Sequence, residues 1–300
     1  MRPTHAAAGE AGGSAARSLS KPARRRKKIH LSQAILVLFL VVFLLTNYYQ
    51  LFLLAIKSFK TPTQERYHPF SLTFPLNFEN YRLAWLYVKD FILNTVLLAA
   101  CNVVFTLTVA SIAAFAFAKF RFKGKEVLFM GFLSLMMLPG VLSLSTSYLL
   151  VQSMGLIETR WAVILPGMAG NLPFNIFLLR TFMNSVPNDL FEAAKLDGAG
   201  NFMQFRKIAI PLSAPIMATA AMWLFMQSWN DIIWPNLVLA ESQRTIATGL
   251  VPFTNEYYKM VGSYSAPMAG YVITSLPLIL VFFLTSKQYI KGMTSGALKL

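Results

Sequence analysis

The sequence predicts an all-α membrane protein, and three features of the chain support that fold class. Charged residues make up only 13% of the 300 residues, and hydrophobic residues 56%, whereas soluble domains carry about 25% charged residues. Mean hydropathy is +0.53. Six uncharged runs are each long enough to cross about 30 Å of hydrocarbon as a helix. Because a spanning segment must satisfy its own backbone, runs this long and unbroken are expected to be helices.

The six runs define the predicted spans, which we expect to form one domain over residues 29–300. The preceding tail, residues 1–28, is rich in Ala, Gly, Ser, Lys and Arg, ends in "RRRKK" and is predicted to be disordered and cytoplasmic. The first run has 26 residues, more than the roughly 7–15 of a signal-peptide core, which favours a retained span. The predicted spans are Leu31–Ile56, Phe91–Ala118, Val127–Ile157, Trp161–Leu179, Ile208–Asn230 and Met260–Ser286.

The distribution of Lys and Arg predicts the orientation of these spans. If the N-terminus lies inside, the inner segments hold 19 of the 27 basic residues and the outer segments hold 8. Basic residues accumulate on the cytoplasmic side, so both termini are predicted to be cytoplasmic. The net charge of +15 is then explained by membrane topology rather than by nucleic acid. Two longer loops, Lys57–Asp90 and Leu239–Lys259, are placed outside.

A compact polar stretch, "EAAKLDGAGNFMQFRKIAIP", lies on the inner side between predicted spans four and five. Pro187 and Asn188 before it are a helix-start signal. Gly198 and Gly200 allow a turn, and Gly198 is expected to have a positive φ. Asn201 is predicted to cap a second short helix.

Physical reasoning leaves two interpretations of this stretch. It is either a loop lying on the lipid headgroups or a rigid helix that docks into a groove of a partner protein. In the second case Glu192 would pair with an arginine of that groove.

The stretch resembles the signature of membrane permease subunits of ATP-binding-cassette (ABC) importers: E-A-A, three residues, G, nine residues, I, one residue, L-P. Ile210 stands where that family usually has Leu. Four other stretches are similar to carbohydrate-uptake permeases of the maltose type: "NFENYRLAW", "NLPFNIFLLRTF", "WNDIIWPN" and "SGALK". Asn94-Thr95 departs from the usual Asn-Ser. The residues that match the signature are Glu192, Ala193, Ala194, Gly198, Ile208 and Pro211.

The resemblance implies a type I ABC importer permease fold of six transmembrane helices, with a cytoplasmic coupling helix between spans four and five and a family core at about residues 91–288. It implies a second permease subunit in a heterodimer, two ABC ATPase subunits that bind ATP and Mg, and an extracytoplasmic binding protein that delivers a sugar or oligosaccharide. Thr248 and Gly249 in the second outer loop are expected to contact the binding protein. The implied ATPase-coupling residues are Glu192, Ala193, Ala194, Asp197, Gly198, Ile208 and Pro211.

The sequence contains no set of residues typical of catalysis or of a cofactor site. No G-x-x-x-x-G-K-[ST] loop is present. His5, His30 and His68 are scattered without metal-ligand spacing, and Cys101 is the only cysteine. We therefore expect that the chain is not an enzyme, binds no metal or cofactor, and depends on ATP hydrolysis by partner subunits.

Asp231, in "QSWNDIIWP", is the main candidate for the transport pathway. A carboxylate near the membrane is costly when it faces lipid, so it is expected to face a cavity or a partner. Neighbouring aromatic rings could stack on sugar rings, while amides and carboxylates bind hydroxyl groups. The alternatives are an interfacial aromatic belt for the residues around Asp231 and helix–helix hydrogen bonding for Asn175. The candidate residues are Trp229, Asn230, Asp231, Trp234 and Asn175.

Two other classes of protein are alternatives to an importer subunit. An ion-coupled secondary transporter would favour ionisable residues at mid-bilayer and internal repeats. The sequence shows few such ionisable residues and no obvious repeat. A polytopic membrane enzyme finds no support in the residues. Pro139-Gly140, Pro211 and Pro215 interrupt predicted spans, and whether they act as kinks or as hinges stays open.

Overall fold

The structure, a computed structural model, describes residues 31–297, without the side chains of residues 31, 32, 34 and 287–297. The predicted tail at residues 1–28 lies outside this range. A π-helical turn at Phe205–Ala209 and a 3-10 turn at Glu241–Gln243 accompany the α-helices. The α-helices are α1 (Leu31–Ser58), α2 (Pro62–Tyr67), α3 (Glu79–Lys119), α4 (Lys125–Leu135), α5 (Leu144–Ser153), α6 (Trp161–Asn184), α7 (Asp189–Leu196), α8 (Asn201–Gln204), α9 (Ile210–Asn230), α10 (Ile233–Val238), α11 (Ile246–Val261) and α12 (Ser265–Ala297).

The described part of the chain divides into two units at Tyr49 and Gln50. In the first unit, residues 31–49 form most of α1, and the side chains that are described there are exposed and mainly apolar. Such a helix is typical of a segment that faces lipid or a partner span. The second unit contains the end of α1 and the helices α2 to α12.

Helices α3 and α6 run parallel through the second unit. Near one end, the Arg160 guanidinium at the start of α6 donates to the Asn94 side-chain oxygen at 3.3 Å. Near the other end, the Lys119 Nζ at the close of α3 donates to the Val186 carbonyl, just after α6, at 3.1 Å. Because the two helices point the same way, the chain between them must return along the length of α6.

The predicted third span makes this return, but not as the single helix that the sequence predicted. At one end, Glu126 of α4 pairs with Arg180 of α6 at 2.6 Å, and at the other end Val151 of α5 packs with Ala162. Turns over residues 136–143 separate the two helices, each about 15–16 Å long and too short to cross alone. Pro139 explains the break, since it lacks an amide hydrogen and disfavours helix at the preceding residue.

Five helices among the described residues are long and apolar enough to cross a membrane individually. With the α4–α5 pair, they account for the six predicted spans. The predicted boundaries were less accurate than their number. Helix α3 begins at Glu79, twelve residues before the predicted Phe91, and α12 begins at Ser265 rather than Met260, because a turn with Gly262 at φ 69° precedes it.

The second outer loop was predicted as a connection, but the structure forms α11 from most of it. Helix α11 packs closely on α3, since a Cβ placed on Gly249 would lie 2.4 Å from the Phe91 ring. The Thr95 hydroxyl accepts from the Ile246 amide at 2.8 Å, and the Asn94 amide donates to the Ser242 and Arg244 carbonyls. A serine hydroxyl would accept the same hydrogen bond as the Thr95 hydroxyl. The presence of Thr95 where carbohydrate-uptake permeases usually have Ser therefore conserves the contact between α3 and α11.

Candidate functional site

The coupling segment, residues 187–211, starts with α7, which is closed by a Schellman motif. The amide of Gly198 donates to the Lys195 carbonyl at 3.1 Å, and the amide of Ala199 donates to the Ala194 carbonyl at 2.8 Å. Gly198 has φ 84°, which confirms the predicted left-handed backbone. The motif gives α7 a sharp end, so its eight residues form a compact helix rather than a loose loop.

Gly198→Val is expected to destabilise the end of α7, because a β-branched residue at positive φ costs about 1–3 kcal/mol. Gly200→Val is the matched control: Gly200 is also exposed, and its φ of −67° suits any residue. The measurement is amide hydrogen exchange of residues 189–199 in the purified full-length chain. We expect faster exchange in the first variant only, and equal exchange in the two variants would contradict the role given to Gly198.

A continuous helical path runs from Asn201, in the second half of the coupling segment, into α9. The prediction that Asn201 caps a separate helix was wrong: Gly200 is the N-cap, and Asn201 is the first residue of α8. Pro211 explains the π-turn that follows α8, because its ring would clash with the Lys207 carbonyl in an ordinary α-helix. The wider turn is closed by a hydrogen bond from the Ile210 amide to the Phe205 carbonyl, and it relieves this clash without ending the helix. Movement of α8 is therefore connected directly to a spanning helix, while α7 is joined to α8 through the turn at residues 197–200.

Lys119, at the end of α3, fastens the start of the coupling segment. Besides its bond to the Val186 carbonyl, its Nζ donates to the Asn188 side-chain oxygen at 2.9 Å. The same ammonium lies 4.3 Å from the centre of the Phe191 ring, and Phe191 is buried in the apolar cluster at this end of the bundle. Lys119 was not among the residues predicted from the sequence; its position at the end of a long apolar run is the signal that could have identified it.

Much of the rest of the coupling segment is exposed. Glu192, Ala193, Asp197 and Gly198 are at the surface, while Ala194 is half-buried. Ile208 packs against the inner apolar cluster, and Pro211 is exposed at the start of α9. The large apolar side chains that this surface leaves uncovered are Leu190, Leu196, Phe202 and Met203, of which Leu196 is 90% and Phe202 73% exposed. A compact helix with exposed apolar side chains and a free carboxylate has the composition of a docking surface.

A polar cavity of about 350 Å³ lies at the other end of the bundle, between α3, α6 and α9. Asp231 is half-buried there, and its carboxylate accepts from the Trp234 backbone amide at 3.3 Å. The Trp234 indole is held by a bond from Nε1 to the Ala162 carbonyl at 2.8 Å. The residues lining the cavity are Leu98, Asn102, Val163, Gly167, Asn171, Gln227, Ser228, Asn230, Asp231, Trp234, Pro235 and Thr245.

Three of the predicted pathway residues line this cavity, and two do not. Trp229 points away from it and stacks on Phe225 with ring centres 5.3 Å apart, in the outer apolar cluster. Asn175 is fully buried and donates to the Asn171 carbonyl of its own helix. Neither side chain lines the cavity, because each faces the packed interior between helices.

The cavity also contains residues that the sequence analysis missed. The Asn102 amide donates to the Ser228 hydroxyl at 3.0 Å, and the Asn102 oxygen accepts from Thr106 at 3.1 Å. Gln227 lies beside Ser228 in the lining. Isolated amides inside apolar runs were the available signal, but only the packing of α3 against α9 shows that they share a space.

Thr248 and Gly249, the residues predicted to contact a binding protein, are both buried within the chain. The Thr248 hydroxyl accepts a hydrogen bond from the Thr245 backbone amide at 2.9 Å as part of a capping box, and Gly249 packs on Phe91. Neither presents a side chain to the surface in this arrangement. The exposed side chains of α11 include Val251 and Tyr258.

Comparison with known proteins identifies the kind of chain that carries these two sites. The family described as "Binding-protein-dependent transport system inner membrane component" matches residues 106–294, a range that includes the coupling segment and most of the cavity. The chain belongs to this family. It is thus a permease of an ABC importer and an inner-membrane component, as the signature of the coupling segment predicted.

Similar proteins cover most of the permease. The probable ABC transporter permease protein YurM of Bacillus subtilis is 32% identical over 276 residues, 91% of each chain. The maltodextrin transport system permease protein MalD of Streptococcus pneumoniae is 28% identical over 273 residues, 90% of the permease and 96% of MalD.

A solved structure shares the fold of the permease. It is a crystal structure of a bacterial ABC transporter involved in the import of the acidic polysaccharide alginate. One of its chains superposes with a TM-score of 0.74 at 20% identity, covering 85% of the permease and 95% of that chain. The permease therefore has the fold expected for type I importers, with a broken third span.

Proposed function

We propose that the permease imports a sugar or oligosaccharide that an extracytoplasmic binding protein delivers. The observation that carries this proposal is the polar cavity at the outer end of α3, α6 and α9. Its amide, hydroxyl and carboxylate groups are suited to the hydroxyl groups of a sugar, and the Trp234 ring supplies an apolar face. The maltodextrin relative supports the same class of substrate.

ATP hydrolysis takes place on separate ABC ATPase subunits, which dock on the coupling segment. This part of the proposal is supported by the exposed Leu196 and Phe202, and by Glu192, whose carboxylate makes no ion pair within the described residues. A second permease subunit completes the pathway as a heterodimer. ATP and Mg bind to the ATPases, and the permease holds no cofactor of its own.

The coupling segment faces the cytoplasm, and so do both termini. The asymmetry of 19 inner against 8 outer basic residues supports this orientation. Reporters fused at Asp189 or after Leu300 are expected to be active in the cytoplasm, and a reporter at Thr254 outside. An external signal from the Asp189 fusion would reverse the proposed orientation.

Uptake into proteoliposomes tests the proposed function. The permease is purified with the subunits that accompany it and supplied with its binding protein, and uptake of labelled maltodextrin and of other labelled oligosaccharides is measured. Uptake is expected to require internal ATP and the binding protein and to be insensitive to ionophores. Uptake that followed an ion gradient without ATP would instead support a secondary transporter.

A further inference from the structure

A basic pocket of about 660 Å³ lies beside α7, between the end of α3 and α8. Four cations line it, Lys119, Arg121, Lys125 and Lys195, against the single carboxylate of Glu192. Lys119 is engaged by the coupling segment, and Lys125 Nζ donates to the Phe120 carbonyl at 3.2 Å. Arg121 and Lys195 make no ion pair or side-chain hydrogen bond with the residues that the structure describes. The pocket therefore presents unneutralised positive charge suited to an anion.

An apolar groove continues from this pocket along α3 and α9. Its first part, about 210 Å³, shares Phe115 and Phe120 with the basic pocket. Its second part, about 360 Å³, shares Ile112 and Phe205 with the first and extends to Val103. The walls of both parts are mainly apolar side chains. Charge at one end and apolar walls along the rest are the two halves of a site for an amphiphile.

The length of the groove agrees with a lipid chain. Seventeen residues separate Val103 from Phe120 on α3, which corresponds to about 25 Å along a helix. Half of a bilayer's hydrocarbon is about 15 Å thick, so the groove is long enough for one leaflet's acyl chain with its head group in the basic pocket. An acidic peptide would satisfy the charges but would have no use for an apolar groove that runs into the membrane.

We propose that the basic pocket and the apolar groove together bind one anionic phospholipid of the leaflet on the coupling-segment side. The phosphate lies among Arg121, Lys195 and their neighbours, and one acyl chain lies in the groove against Phe205. The lipid thereby contacts α7 at its head group and the π-turn at its chain. It would occupy the space between the coupling segment and the helix that this segment moves.

The test uses the full-length permease, with its accompanying subunits, in phosphatidylcholine vesicles that contain a trace of phosphatidylglycerol with a photoactivatable acyl chain. Adducts are mapped by mass spectrometry and are expected in peptides that cover residues 103–120 and 202–217. Unlabelled phosphatidylglycerol is expected to compete, whereas extra phosphatidylcholine and inorganic phosphate are not.

A pair of matched variants separates the pocket from general surface charge. The double variant Arg121→Ala/Lys195→Ala is expected to weaken competition by phosphatidylglycerol about 25-fold, roughly fivefold for each cation. The control Lys123→Ala/Arg206→Ala removes two exposed cations that do not line the pocket and is expected to leave competition unchanged. Leu196→Ala removes an exposed docking side chain that does not line the pocket and is expected to retain labelling even where transport is reduced, which distinguishes this site from docking of an ATPase.

Three results would overturn the proposal. Equal competition by the two phospholipids would show that the head group is not recognised. Displacement by inorganic phosphate would show an anion site without a lipid. Absence of groove adducts from a complex that transports would show that a helix of a partner subunit covers the groove.

Discussion

Glu192→Lys is expected to abolish ATP-driven uptake while leaving membrane insertion intact. Glu192 lies exposed in the first turn of α7, where the helix dipole favours a carboxylate. In the proposed docking it meets a basic groove, so the substitution replaces attraction by repulsion and leaves the partner's charge unpaired. Interfacial charge pairs of this kind carry effects on the order of 100-fold in affinity. The measurements are the amount of ATPase that copurifies and the uptake in proteoliposomes.

Asp189→Lys is the matched control for this substitution. Asp189 is also exposed in the first turn of α7, and its reversal changes the net charge by the same amount, but it does not belong to the signature. We expect it to cost only the weaker interaction with the helix dipole, so that the ATPase still copurifies. If Glu192→Lys assembles and transports at the wild-type rate per ATP, or if both variants fail alike, a specific docking role for Glu192 is wrong.

Asp231→Ala is expected to raise the sugar concentration needed for half-maximal uptake by at least about tenfold, since a hydrogen bond to a charged group contributes about 1.5–3 kcal/mol. Asp231 lies half-buried in the cavity with its carboxylate free to accept bonds besides the one from Trp234. Asp231→Asn keeps an oxygen for the Trp234 amide and removes the charge. We expect an intermediate loss for Asn, because the hydrogen bond from the Trp234 amide survives.

Asn236→Ala controls for general damage to α10, as Asn236 is exposed on that helix and does not line the cavity. The measurement is uptake kinetics over a range of sugar concentrations, with membrane insertion and thermal stability measured in parallel. Together they distinguish a loss of sugar binding from a loss of stability. Unchanged kinetics for Asp231→Ala would return Asp231 to the role of an interfacial residue. A loss of stability equal to the loss of uptake would show that its main role is to hold the start of α10 through the Trp234 amide.

Much of the fold could be predicted from local composition alone. The six apolar runs matched helical segments because a chain in hydrocarbon must satisfy each backbone group internally. Even Gly198 was correctly predicted at positive φ, since the turn after a short helix requires it. The break in the third span was visible as Pro139, but a proline in a span is equally compatible with a kink.

The coupling segment and the cavity differ in how far the sequence could specify them. The coupling segment is contiguous, so its helix, its turn and its exposed carboxylate follow from residues within about twenty positions of one another. The cavity brings together side chains from α3, α6 and α9, such as Asn102 and Ser228, which are 126 positions apart. No periodicity within one helix reveals which of its polar residues will meet a neighbour's.

The sequence by itself determined the class of protein, the number of spans, the polar interruption and the residues of the signature. Only the tertiary structure decided that Trp229 and Asn175 are packed while Asn102 and Asp231 share a cavity, and that Thr248 and Gly249 are buried against α3. The physical reason is that span formation depends on local hydrophobicity. Lining a site depends on how each helix is rotated and which helix lies beside it, and long-range packing sets both.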